Sequence, residues 1–356
     1  MPVVAAAALA GVGPLATTLT ASAHGSLPPR TAAQLLVDVQ NARVQGLSGT
    51  VVETSDLGLP SLPNLGGQGG GSSSFSSLVS GSHTMRVWYA GPGQVRMALL
   101  GQLGESDLVR NGGDVWAWSS DTNTATHWTA PAAEGAQPTV PGPADGPVTP
   151  QQAAEAALKA IDPSTRVTTD PSAVVAGRSA YQLDLVPRDS RSTVGSVRIA
   201  IDGSTHIPVR VQVYARGATS PAFEIGFTSF STSTPPASTF AFTPPPGAVV
   251  KQGGSHAPSG STPSHAKASA AAPQVVGTGW TSVVVAPVGS PVGQSGQSGQ
   301  PGSLAGVLKS LPTVSGAWGS GHLLHGALFS AVLTDDGRIA IGAVPPSMLY
   351  AALAHG

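Results

Sequence analysis

The 356-residue chain has no cysteine, which excludes a disulfide frame, a thiolate nucleophile, a thiolate metal site and a lipid-modifiable thiol. Charge is also scarce. Lys and Arg number 17 against 18 Asp and Glu, only 10% of the chain together, with a net charge of −1. No basic cluster is present to neutralise a phosphate backbone, so nucleic acid is excluded as a partner. Sequence signatures of catalysis are missing as well: the chain has no G-x-S-x-G elbow, no H-E-x-x-H and no phosphate-binding G-x-x-x-x-G-K-[ST]. Two weaker candidates fall short of a metal site. His322 and His325, three apart, read as histidines at the end of a helix, and Asp335-Asp336-Gly337 lacks the later ligands of a calcium loop and reads as a hairpin turn. Neither an enzyme nor a cofactor or metal protein is expected.

What is abundant is Gly (45), Pro (32) and hydrophobic residues (40%), enough to build a core between frequent interruptions. Val3 to Ala16 is a short apolar run, broken by Gly and Pro, that precedes Ala21-Ser22-Ala23. It is too broken for a convincing span but fits export, so residues 1–23 are expected to be a signal peptide or weak anchor. The rest of the protein would then be extracytoplasmic, either secreted or held on the outer face of the cytoplasmic membrane.

Thr31 with Gln34 has the form of a capping box, and Leu35, Leu36, Val39 and Ala42 follow at helical spacing, predicting a helix to about Val44. Period-two segments then take over. Leu47 to Thr54 reads as a strand, and His83 to Ala90 alternates Met85, Val87 and Tyr89 against Thr84, Arg86 and Trp88. Val95, Met97 and Leu99 return after Gly91-Pro92-Gly93, and Asn111-Gly112 turns the chain into Val115-Trp116-Ala117-Trp118. A second helix is expected from Thr149-Pro150, with Ala154, Ala157, Leu158 and Ile161 buried. The strands of Tyr181 to Leu185, Val197 to Ile201, Val209 to Val213 and Phe223 to Phe230 follow. Antiparallel meanders interrupted by two helices argue against a parallel nucleotide-binding sheet. Residues 252–273 and 289–303 read as flexible linkers, and 274–356 as a small α+β unit with a helix near 304–311, strands at 328–333 and 338–344, and a last helix at 345–354.

Five segments, in order, resemble the LolA-type lipoprotein carriers. Tyr89 to Met97 is similar to their strand-turn-strand, and Val109 to Trp118 to their "S-D-G-x-x-L-W-x-Y" hairpin. Tyr181 to Pro187 looks like "Y-x-L-x-L-x-P", Ile201-Asp202 with Pro208-Val209-Arg210 like "D-x-x-x-x-P-x-R", and Phe240 to Ala248 like "F-x-F-x-P-P-x-G". The resemblance covers residues 31–251. It implies a mainly β (α+β) fold: an open, curved antiparallel half-barrel plugged by helices, its apolar concave face holding the acyl chains of a lipid or lipoprotein. Gly91 stands where the proteobacterial carriers have an Arg that governs release, so the resemblance speaks for the fold rather than for that handover. The tail is loosely similar to that of the MucB/RseB regulators, which restrain an anti-sigma factor.

The expected function is therefore that of a monomeric extracytoplasmic carrier or chaperone for lipid or lipoprotein acyl chains. The alternative is an envelope-stress sensor with a membrane protein, a transporter or an anti-sigma factor, as partner. Met85, Val87, Tyr89, Val95, Met97, Trp116 and Trp118 are the candidate lining of the cavity, with Arg86 and Trp88 replacing them if the strand faces slip by one residue. The long Gly/Ser/Pro excursion at 56–82 carries Leu57, Leu59, Leu62, Leu65 and Phe75, the candidate residues of a mobile cover.

Overall fold

A computed structural model describes residues 26–59, 81–130, 163–253, 273–287 and 311–355. Helix α1 (Ala32–Asn41) opens on the capping box anticipated at Thr31: the Gln34 amide donates to Thr31 Oγ1 at 3.2 Å, and the Thr31 amide donates to Gln34 Oε1 at 2.9 Å. It ends three residues earlier than expected, and the Arg43 guanidinium donates to the carbonyls of Gln40 and Ala42 there. The expected second helix at 149–161, the leader, the linker at 289–303 and all but the ends of the segments expected at 252–273 and 304–311 lie outside the described residues; Gln252, the first residue of the 252–273 linker, belongs to a strand.

Twelve strands form one sheet: β1 (Leu47–Ser55), β2 (Gly81–Tyr89), β3 (Gln94–Leu100), β4 (Glu105–Asn111), β5 (Asp114–Ser119), β6 (Thr124–Thr129), β7 (Thr165–Val175), β8 (Arg178–Pro187), β9 (Val194–Asp202), β10 (Pro208–Ala215), β11 (Phe223–Ser231) and β12 (Val249–Gln252). Their spatial order is β12-β6-β5-β4-β3-β2-β1-β11-β10-β9-β8-β7, so two meanders meet along the β1–β11 pair. The sheet is large, curved and open, with β12 and β7 as its edges. All pairings are antiparallel except β12 on β6. Gly91 (φ +90°) lets the β2–β3 hairpin close, with the Gln94 amide donating back to the Gly91 carbonyl at 3.1 Å.

Strand β7 was not anticipated. Its Arg166-Val167-Thr168-Thr169-Asp170-Pro171-Ser172 run is mostly polar, and Pro171 argues against a central strand. At the sheet edge that Pro is tolerated, within a bulge between Asp170 and Ala173. Beyond this sheet, β13 (Gln274–Val276), β14 (Val283–Pro287), β15 (Thr313–Gly316), β16 (Gly319–His325), β17 (Ser330–Thr334) and β18 (Arg338–Gly342) form a second sheet, packed by helix α2 (Pro346–His355). The helical reading of His322-Leu323-Leu324-His325 is thus corrected. Flanked by Gly319 and Gly321, the segment pairs with β15 and β17, and a spacing of three puts the two imidazoles on opposite faces of a strand. Asp335-Asp336-Gly337 is the turn between β17 and β18, where Asp336 pairs with Arg338 at 2.9 Å.

The main core lies on one face of the large sheet, under α1. Leu35 of the helix and Leu183, Leu185, Ile199 and Ile201 of the sheet are fully buried in it. The second sheet bears on the first through several polar contacts. Trp280 Nε1 donates to Thr165 Oγ1 at 2.7 Å, and Thr193 bonds the carbonyls of Ala343 (2.9 Å) and Leu328 (2.6 Å).

Candidate functional site on the inner face

Antiparallel partners point to the same side of a sheet, so the register decides which side chains share a face. Starting from the buried Val51, the ladder runs to Met85 and Leu99, and one step along it from Val87 to Met97, Leu108 and Ala117. A further step joins Tyr89, Val95, Arg110 and Val115. Across the seam, the same face continues through Phe227 and Ile225 to Val211, Ile199 and Leu183. This is the face that carries the core and α1, and we term it the inner face.

Five of the seven candidate lining residues therefore lie together. Met85 and Met97 are buried at 2% and 3% exposure, while Val87, Tyr89 and Val95 are half-buried, left partly open where β2 and β3 run out toward their hairpin. Burial raises the Tyr89 phenol above its ordinary value, as apolar surroundings demand. Arg110, next in the row, is held at the rim by its bond to the Gly112 carbonyl.

Trp116 and Trp118 lie on the other side. Their ladder partners are Val109 and Asp107, then Arg96 and Ala98, then Trp88 and Arg86. The alternation of each strand was legible, but the relative phase of β2 and β5 depends on two intervening hairpins. On this outer face the chain after β11 crosses back over the first meander to reach β12. Phe240 of that strap is fully buried, and Phe242 meets the Trp116 ring at 5.5 Å. Trp116 also packs on His127 at 4.4 Å, whose Nε2 lies 2.9 Å from Asp114 Oδ1. The Arg86 and Arg96 guanidiniums lie 5.7 and 5.5 Å from the Trp88 ring, and Arg96 grips Asp107 at 3.0 and 3.3 Å. Trp116 thus packs the sheet against its strap, while Trp88 is covered by the two guanidiniums.

One polar pair interrupts the inner face. Glu53 and His83 are register partners, two residues along their strands from Val51 and Met85, and are 3% and 8% exposed. His83 Nδ1 lies 2.9 Å from Glu53 Oε2, while Glu53 Oε1 finds no hydrogen-bond partner among the described residues. Desolvation holds the Glu53 carboxyl above its ordinary value; the hydrogen bond and charge of His83 offset this only in part. The pair was not singled out from sequence. The signal was available, since Glu53 shares the parity of Val51, and His83 that of Met85.

Of the candidate cover, Leu62, Leu65 and Phe75 lie outside the described residues. Leu57 and Leu59 run against the second sheet's loop: the Ala327 amide donates to the Leu57 carbonyl at 2.7 Å, and Gly326 closes on Leu57 and Leu59 with no room for a Cβ. Among the described residues there is no group of three potential metal ligands, and no helix long and apolar enough to cross a membrane.

With this geometry in hand, the fold is similar to solved structures of two kinds. MucB in complex with the periplasmic part of MucA aligns over 91% of this chain and 97% of that one, at 15% identity and a TM-score of 0.42. The Pseudomonas aeruginosa MucA/MucB complex aligns over 90% and 96%, at 15% identity and a TM-score of 0.41. A LolA-superfamily protein of Nitrosomonas europaea aligns over 60% of this chain and 99% of that one, at 11% identity and a TM-score of 0.21. No protein-family model matches the chain, and no curated protein matches it.

Proposed function

We propose that the protein is an extracytoplasmic carrier or chaperone that holds the acyl chains of a lipid or lipoprotein against its inner face. The observation that carries this reading is the run of Met85, Val87, Tyr89, Val95 and Met97 on one face, buried at one end and half-open at the other. Each acyl CH₂ withdrawn from water there contributes about 0.8 kcal/mol, so a long chain binds without polar recognition. The test is native mass spectrometry of protein recovered from membranes: co-purifying lipid is expected, and a protein that neither retains nor takes up lipid sinks the proposal.

A second reading, a sensor that engages a membrane protein such as a transporter or an anti-sigma factor, is favoured by the tail sheet. Val275, Val284 and Ile341 stand in register on the side opposite α2 and are 62%, 37% and 39% exposed. An aligned aliphatic row left open to water suits a protein partner. Val284→Asp with Ile341→Asp should then abolish capture of that partner while leaving lipid binding intact; unchanged capture by the double variant counts against it.

A further inference from the structure

Glu53 is out of place. Val51, Met85, Ile225 and Phe227 around it on the inner face are apolar, and Ser55, the next buried residue of that parity along β1, does not satisfy its Oε1. The arginines nearest in register, Arg86 on β2 and Arg210 on β10, lie on the outer face, opposite Thr50 and Gly226. His83 occupies one carboxyl oxygen and thereby fixes the direction of the other, which is buried and unpartnered. A buried acceptor without a donor is costly in any folded protein and calls for a partner from somewhere.

We propose that Glu53 Oε1 takes a hydrogen-bond donor carried by the ligand itself, an amide N–H or a hydroxyl placed beside the acyl chain. The inference rests on the reading of the inner face as an acyl-chain site and adds selectivity to it. A donor-bearing headgroup completes the hydrogen bonding of the carboxyl. An ester brings only acceptors and leaves Oε1 as it was, and a free carboxylate sets a second anion against the first. The preferred ligands are thus acyl amides and alcohols, over esters and fatty acids of equal chain length. His83 acts as a positioning residue.

The test uses the full-length protein with the apolar dye N-phenyl-1-naphthylamine bound, displaced in turn by dodecanamide, dodecanol, methyl dodecanoate and dodecanoate. The amide and the alcohol are expected to bind about tenfold more tightly than the ester and the carboxylate, the worth of one hydrogen bond to a charged group. In Glu53→Met the preference for the amide and the alcohol over the ester should fall below threefold. If the ester binds the native protein as well as the amide does, the selectivity inference is overturned and the acyl-site reading stands. If neither the dye nor any of the four compounds binds, the acyl-site reading falls and takes the inference with it. The comparison within the native protein decides the matter even if the variant does not fold.

Discussion

The two meanders of the large sheet share a face but differ in what that face is made of. In β8 to β11 the inner residues Leu183, Leu185, Ile199, Ile201, Val209, Val211 and Ile225 are all at most 2% exposed, a closed core in which the buried Tyr181 hydroxyl is satisfied by the Pro28 carbonyl at 2.9 Å. In β1 to β5 the same face holds a carboxyl and an imidazole, then Val87, Tyr89 and Val95 half-open toward the hairpin end. The polar turn of the second meander is by contrast fully satisfied. Asp202 is 1% exposed; burial opposes its ionisation, yet Arg178, at 2.5 and 3.0 Å, and Thr205 outweigh that and hold its carboxyl below the ordinary value. Under the proposed function, the difference separates a meander built to fold from one that receives the acyl chain.

Substitutions test this contrast. Leu183→Ala in the closed meander should cost about 3 kcal/mol in urea unfolding, as expected for a leucine truncated in a tight core. A cost under about 1 kcal/mol would show that this core too is slack. On the outer face, Phe242→Ala should cost about 1 kcal/mol through loss of its contact with Trp116, without altering ligand affinity. If affinity falls as well, the strap takes part in binding.

Val87→Ser should reverse the pattern of Leu183. It is expected to change stability by less than about 1 kcal/mol. Binding of methyl dodecanoate should weaken about fourfold, the worth of roughly one CH₂ contact. Equal effects on folding and binding would erase the distinction between the meanders.

Glu53→Gln carries a pH signature. The carboxyl titrates above its ordinary value when folded, because burial favours the protonated form. Its penalty is therefore absent below the ordinary carboxyl range and grows as pH rises through the folded value. Thermal melts at pH 4 and pH 7 should show the variant gaining on the native protein at the higher pH; a constant difference would mean that the pair is neutral to folding. The smallest effect belongs to the exposed β8–β9 hairpin, where bonds from the Arg191 side chain and amide bring the Asp189 carboxyl down to about 2. Arg191→Ala should let that value rise part of the way toward normal in an NMR titration, with no measurable shift in melting.

Much of this was legible in the sequence, because period-two patterning is set by the pleat itself. Met85, Val87 and Tyr89 alternate with Arg86 and Trp88 in the sequence as they do in the sheet. What alternation leaves open is phase between strands. Trp116 falls opposite Arg96 and not opposite Met97 because of how two hairpins close, which is a matter of turn geometry rather than of composition. His322 and His325 were misplaced for a related reason, since their apolar pair Leu323-Leu324 suits a short strand as well as a helix turn. Glu53 escaped notice because a single Glu in a strand ordinarily faces water, and only the burial of Val51 reveals which way it points.

The seam between the meanders limits how the inner face can open. Strands β1 and β11 pair over eight residues, from Ser48 with Ser231 to Ser55 with Phe223, with one irregularity beside Val51. Gly49 lies so close to the Ser229 carbonyl that a Cβ there would collide with it. Parting the meanders would break this ladder, so in the proposed carrier admission of a larger ligand would come from a change of twist spread along the strands. A sheet laced together this way would bend as a continuous plate rather than swing on a hinge, and its resistance should rise smoothly with the girth of the proposed ligand.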